Sequence, residues 1–375
     1  MSDLTIPDTP FLAVDVDRVD ANIDRLRTRL DALGIPLRLH VKTAKSVDVA
    51  ARVYPTGSGP ITVSTLAEAE YFADAGYTDI LYAVGIDPHK LQRAAQLFRR
   101  GVDLTLLLDS PAQAEAVVAY CAEHHVRLPA LIEIDCDGHR GGIRPDDPTL
   151  LEIARILDAA GLMRGVLDHA GESYFAATGP AQQDAAENER ATLVDAADRL
   201  RTAGVECPVV SVGSTPTAHA ATTLAGVTEV RAGNFVFFDL VMAGIGVCRI
   251  EDIALSVVVT VIGHQPAHRW IITDGGWMAT SRDRGTAQQP VDQGYGLVAT
   301  LDGHVIADLI MVAASQEHGQ LAIRPGSNRD LPDLAIGTRL RIIPNHACAT
   351  ASQHEHYQLT GQHPPTGTWH RHNGW

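Results

Sequence analysis

The chain has 375 residues, 45% of them hydrophobic, which is enough for one large core and a smaller second one and marks it as globular rather than a tail or repeat array. A formal net charge of -15 and a pI near 5.5 oppose association with a nucleic-acid backbone or an anionic membrane surface. Residues 1–10 are polar, no window is apolar enough to span a bilayer, and the five scattered cysteines form no CxxC pair or disulfide framework, so the expectation is a cytoplasmic protein.

In chain order, the apolar run 11–16 reads as a strand and the pattern over 19–33 as a helix. Short apolar runs then alternate with amphipathic stretches, and the candidate strands are 37–43, 61–64, 80–84, 104–108, 130–134, 165–169, 209–212 and 229–232. Eight strands separated by helical segments such as 66–75 and 111–124 are the pattern of a (β/α)8 barrel, preferred here over an open doubly wound sheet. After Asp239 the texture changes to β-branched runs at 254–262, 270–273 and 338–343 with Gly, Pro and Asp turns between them. The expectation is therefore an α/β protein with a barrel over residues 17–243 and an all-β domain built from 1–16 plus 244–375. The His- and Gly-rich stretch 354–375 reads as a surface tail.

Side chains alternate along a barrel strand, so the odd positions Leu37, Leu39, Val41 and Thr43 suit the helix-facing side, and Arg38, His40 and Lys42 then point inward. Lys42 lies at the strand's C-terminal end, where barrel active sites gather, and is a candidate for Schiff-base chemistry. A lysine that reaches solvent or pairs with a carboxylate fits the same position. Within Pro344-Asn345-His346-Ala347-Cys348, at the end of a predicted strand, His346 and Cys348 are two apart and can offer nitrogen and sulfur to one ion, with water and substrate completing it. A buried cysteine beside a surface histidine reads equally from two ligands alone. The turns Gly213-Ser214-Thr215-Pro216-Thr217 and Gly233-Asn234 follow the last two strands, where barrels commonly bind phosphate on backbone N–H groups, although ordinary βα turns use the same residues. Strand ends five and six add Asp137-Gly138-His139-Arg140 and the segment from Asp168 and His169 to Tyr174, polar and aromatic groups suited to a planar anionic ligand.

Together with Thr9-Pro10, His40-Val41-Lys42-Thr43-Ala44-Lys45 and the run 281–287, these motifs resemble the family of D-serine dehydratases and D-threonine aldolases, whose fold is shared with the alanine racemases. The resemblance covers nearly the whole chain. It implies pyridoxal 5'-phosphate (PLP) bound through Lys42, with His169 stacked on its ring, Tyr174 near the ring nitrogen, Arg140 near the phenolic oxygen, His40 close by, and Gly213, Ser214, Thr215, Gly233 and Asn234 around the phosphate. It also implies a divalent metal (zinc, manganese or magnesium) on His346 and Cys348, and a homodimer. The expected reaction is elimination of water and ammonia from a small D-3-hydroxy amino acid (D-threo-3-hydroxyaspartate, D-serine or D-threonine) to give a 2-keto acid. The alternatives are a D-threonine aldolase reaction giving glycine and an aldehyde, a racemase, which would leave His346 and Cys348 without a role, and a non-catalytic PLP-binding regulatory protein, which would need no C-terminal β domain. Many relatives carry His where this chain has Ala44, a departure that bears on substrate contacts rather than on the cofactor.

Overall fold

A computed structural model describes residues 4, 5, 7–362, 365 and 367–375. The chain forms two compact units, one of residues 25–233 with 374–375, the other of residues 1–24 with 234–373. Of the residues assigned to the β domain from sequence, 1–3, 6, 363, 364 and 366 lie outside those described. No helix among the described residues is long and apolar enough to cross a membrane.

After strand β1 (Phe11–Asp15), the first unit is a closed barrel of eight parallel strands: β2 (Leu37–His40), β3 (Ile61–Val63), β4 (Asp79–Gly85), β5 (Asp103–Leu108), β6 (Ala130–Ile134), β7 (Met163–Asp168), β8 (Val209–Val212) and β9 (Glu229–Ala232). The expected strands are all present, and helices such as Leu66–Asp74 and Pro111–His124 lie between them. Their starts follow local chemistry: the hydroxyls of Thr65 and Ser110 accept the N–H of Glu68 and Gln113, and Pro111 occupies a first-turn site where no N–H is needed.

Registers identify the interior face, because residues paired across neighbouring strands point the same way. Thr62 pairs with both His40 and Leu81, and Ser211 pairs with both Leu167 and Glu229. Strands β4 to β7 fill their side of the interior with the contiguous cluster of Leu81, Leu107, Leu131 and Leu167. Strands β8, β9 and β2 instead contribute Ser211, Glu229, Arg231 and Arg38. Arg38 Nε donates to Glu229 Oε2 at 2.8 Å and its Nη1 to Asp79 Oδ1 at 2.7 Å, and Ser211 donates to Glu229 at 2.6 Å.

One expectation is corrected. The strand predicted over 37–43 ends at His40, and residues 41–44 form a turn in which Lys45 N–H returns to the Val41 carbonyl at 2.7 Å. Strand alternation therefore holds for Arg38 and His40 but does not by itself aim Lys42. Lys45, at φ 45°, adopts the left-handed conformation that reverses the chain.

In the second unit, β10 (Leu255–Gln265), β11 (Trp270–Thr273), β12 (Leu297–Thr300), β13 (Val305–Ala314), β14 (Gly319–Ile323) and β15 (Arg339–Ile343) run in the order β11-β14-β13-β12-β15-β10, and β10 also pairs with β11 to close the ring. β10 reaches both neighbours because it is long and shifts register between Val261 and Gly263. The sheet extends from β10 through β1 and β16 (His356–Thr360) to β17 (Thr368–His370), antiparallel except for the β1–β16 pair. The segment expected to be a surface tail is thus partly sheet, because Tyr357, Leu359 and Trp369 alternate inward and are buried.

Removing the Arg38 guanidinium would strand Glu229 in the barrel interior. Arg38→Met is expected to destabilise the protein by about 3 kcal/mol or more, read from its urea unfolding midpoint.

Candidate active site

Two lysines sit in the turn after β2, and their surroundings tell them apart. Lys45 Nζ is 2.9 Å from Glu68 Oε1, a carboxylate with no exposed side-chain surface that also accepts the Ser64 N–H at 3.0 Å. Lys45 neutralises a buried charge, so it belongs to the scaffold. Lys42 is half-buried, its backbone N–H 3.5 Å from His40 Nδ1. Its charge acts on both His40 and His169.

Those two histidines are uncharged at neutral pH. Burial drives the His40 pKa well below its usual value, and the cations Lys42 and Arg231 push the same way. Burial, followed by Lys42, pushes His169 down to about 3. His169 lies just past β7, and its Nδ1 donates to the Gly213 carbonyl at 2.8 Å, which settles its tautomer because a carbonyl only accepts. Tyr174 is half-buried with its ring centroid 6.2 Å from that of His169. Arg140, largely exposed, reaches the inward-facing Glu133 at 3.1 Å.

The turns after β8 and β9 form a close-packed cradle. A Cβ on Gly213 would overlap the Arg231 carbonyl, and one on Gly233 would overlap the His40 carbonyl. Ser214 caps the short helix Thr215–Ala220, accepting the Thr217 N–H at 3.2 Å. The Thr215 hydroxyl is buried with no hydrogen-bond partner among the described residues, a donor that a phosphate oxygen would satisfy. The cradle, the free hydroxyl and the uncharged imidazoles beside Lys42 fit an aromatic aldehyde carrying a phosphate. Asn234 fits less directly, because its side-chain nitrogen is already committed to Asp239 Oδ2 at 2.6 Å.

His346 and Cys348 belong to the second unit. Their placement differs from the extended segment expected: β15 ends at Ile343, and His346 stands in extended conformation at the start of the helix Ala347–Ala351, with Cys348 in its first turn. The helix starts here because buried Asp239 accepts the Ala347 N–H at 2.9 Å. The two side chains still meet, since the His346 ring hydrogen-bonds Cys348. His346 Nδ1 is 2.7 Å from Asp283 Oδ2, an arrangement that orients an imidazole and leaves Nε2 for a ligand. Burial lowers the His346 pKa, but Cys348, Asp283 and Asp239 outweigh it and hold it up at about 11. The donor set, one imidazole and one thiolate, suits a soft divalent ion, while no group of three His, Cys, Asp or Glu poised for a metal occurs among the described residues.

Several residues of the site had not been assigned a role from sequence. Asp283 lay inside the run 281–287 already singled out, and Asn345, next to His346, ties that run down by donating to the carbonyls of Asp283 at 3.2 Å and Gly294 at 2.7 Å. Ser173, whose Oγ is 2.9 Å from Ser214 Oγ, lay inside the segment 168–174 also singled out, whereas Asp239 and Glu189, which accepts the Gly213 N–H at 3.1 Å, carried no recognisable signal.

A parallel barrel with a glycine-lined cradle on its last two strand ends, followed by a separate β domain, is the alanine racemase architecture, and comparison with known families agrees. Residues 14–241 match the model "Alanine racemase, N-terminal domain" and residues 254–360 match "Putative serine dehydratase domain". The chain belongs to this family of alanine-racemase-like lyases, and that membership implies PLP.

Among its relatives, D-threo-3-hydroxyaspartate dehydratase of Delftia sp. (strain HT23) is 55% identical over 98% of this chain and 98% of its own. The likeness of the runs 281–287 and 345–350 to that protein agrees with this match. D-serine dehydratase of Dictyostelium discoideum is 28% identical over 95% of this chain and 94% of its own. A solved D-threo-3-hydroxyaspartate dehydratase, a cysteine-to-alanine mutant in the metal-free form, superposes with a TM-score of 0.96 at 53% identity and covers 100% of both chains.

Gly213→Ala should weaken PLP binding by about tenfold or more while leaving the helices intact, measured by absorbance titration and circular dichroism. A second expectation concerns pH. Burial lowers the pKa of His219, which donates to the Thr215 carbonyl, to about 4. The unfolded chain then binds more protons than the folded one between pH 6.5 and 4, so stability falls as pH falls through that window. A plot of Tm against pH should show a shallower decline for His219→Gln.

Proposed function

We propose that this protein is a PLP- and divalent-metal-dependent lyase that removes water and ammonia from a D-3-hydroxy amino acid, with D-threo-3-hydroxyaspartate as the first candidate substrate. The observation that carries this reading is the His346–Cys348 pair braced by Asp283, in a chain 55% identical over nearly its full length to a dehydratase of that substrate. Lys42 would hold PLP, with Gly213, Ser214, Thr215 and Gly233 around the phosphate. His346 Nε2 and Cys348 Sγ would hold the metal, zinc before manganese or magnesium because thiolate and imidazole favour the softer ion. When bound, PLP supplies an electron sink for charge left at the substrate Cα, and the metal supplies a Lewis acid for the 3-hydroxyl oxygen.

The chain's own residues do the rest. Lys42 Nζ would take the proton from Cα. His40 and His169 stay neutral beside it and so leave a proton to Lys42 rather than competing for one. Loss of that proton and of the C3 hydroxyl, together one water, leaves an enamine, and uptake of water then releases ammonia and the 2-keto acid. The net charge of -15 supports a small-molecule substrate rather than a nucleic acid or an anionic membrane, and the resemblance supports a cytoplasmic homodimer.

The test is to incubate metal-loaded holoenzyme separately with D-threo-3-hydroxyaspartate, D-serine and D-threonine and to quantify keto acid, ammonia and glycine. Keto acid with ammonia is expected; glycine with an aldehyde would make the protein an aldolase instead. Lys42→Ala should lower turnover by about 10³-fold and abolish the protein-bound PLP absorbance band. Asp283→Ala should keep that band but weaken metal affinity by about 10- to 100-fold, measured by metal titration.

A further inference from the structure

Glu189 lies on the helix Gly179–Thr202, which carries none of the residues assigned to cofactor or metal, and is 2% exposed. Its Oε1 accepts two backbone N–H groups, from Ala170 and from Gly213, each at 3.1 Å. Ala170 follows His169, and Gly213 precedes the phosphate-side residues Ser214 and Thr215. The same carboxylate hydrogen-bonds the Thr217 side chain, whose hydroxyl pairs with Ser214 Oγ at 2.9 Å. The Gly213 peptide is therefore held at both ends, its N–H by Glu189 and its C=O by His169 Nδ1 at 2.8 Å.

A carboxylate buried to this degree needs donors in place of water, and those present come from the loops that follow β7 and β8 and from the first turn of the helix Thr215–Ala220. With its Oε1 removed, two buried N–H groups lose their acceptor and the peptide that sets the His169 ring is free to turn. We propose that Glu189 is a positioning residue that locks the His169 loop to the phosphate loop, fixing the imidazole's orientation and the cradle as one unit. The proposal rests on the reading of this barrel mouth as the PLP site. Its geometric part, the dependence of His169 on Glu189, does not require the cofactor.

Two measurements separate the levels. With ¹⁵N-histidine labelling of the full chain, the His169 Nδ1–H signal, identified by its loss in His169→Asn, reports the ring's hydrogen bond without PLP. PLP titration followed by absorbance reports the cradle. Glu189→Leu should lose the protected His169 signal and bind PLP about tenfold or more weakly, whereas Glu189→Gln, whose amide oxygen keeps the acceptor, should stay within about threefold of wild type.

Ala170→Pro provides a second route in case Glu189→Leu fails to fold. It deletes one of the two N–H donors while leaving the carboxylate in place, and the native φ of −74° already suits proline. It should weaken PLP binding and broaden the His169 signal. If the folded variants keep both the signal and PLP affinity within about twofold of wild type, Glu189 has no positioning role. A wild-type protein that takes up no PLP would overturn the functional reading instead, and the His169 signal would still decide the role of Glu189.

Discussion

A carboxylate taken out of water must replace its hydration with fixed donors, and in this protein those donors belong to the loops that carry the candidate site residues. Glu68 takes the Ser64 N–H and Lys45 beside the turn that bears Lys42. Glu189 takes the N–H groups flanking the His169 and Ser214 loops. Asp239 takes the N–H of Ala347, between His346 and Cys348, and the side chain of Asn234. Each loop is irregular backbone whose polar groups need partners, and each carboxylate needs donors, so the two requirements are met by one another. This is how short segments without regular structure come to present side chains in fixed orientations.

The barrel supplies the frame for those loops in the first unit. Its interior divides into a leucine side from β4 to β7 and an ionic side from β8, β9 and β2, where Arg38, Glu229, Ser211 and Arg231 are joined by hydrogen bonds. Arg231 also donates to the Asp168 and Ser211 carbonyls, which links β9 to β7 and β8 immediately below His169 and Gly213. The strand ends that bear the candidate cofactor residues are thus those cross-tied by charged hydrogen bonds rather than by apolar packing alone. Such ties constrain direction as well as distance.

Much of this could be read along the chain. All eight barrel strands, and β10, β11 and β15 after Asp239, announced themselves by their apolar and β-branched runs, because a parallel barrel buries continuous apolar runs and a β domain favours β-branched residues. Gly213 and Gly233 stood out as turn residues, and the structure adds the reason that only glycine fits: neighbouring carbonyls occupy the space of a Cβ. The extent of β2 was misjudged, since the pattern 37–43 alternates as a strand would while residues 41–44 turn and lead into Lys45, which meets Glu68. The His346–Cys348 pair was found by its residue types, but its geometry comes from a helix start rather than from strand alternation.

By itself the sequence determined the two-part architecture, the lysine turn, the glycine cradle and the pair of metal-suited donors, because each is written in local spacing and in the intrinsic chemistry of the side chains. Tertiary structure alone decided what Lys45 pairs with, through Glu68 23 positions further on; which way His169 faces, through the Gly213 carbonyl 44 positions away; and what braces His346, through Asp283 63 positions away. These are partnerships between distant segments, and no local pattern encodes them, because a carboxylate looks the same in a sequence whether it ends in water or beneath an active-site loop.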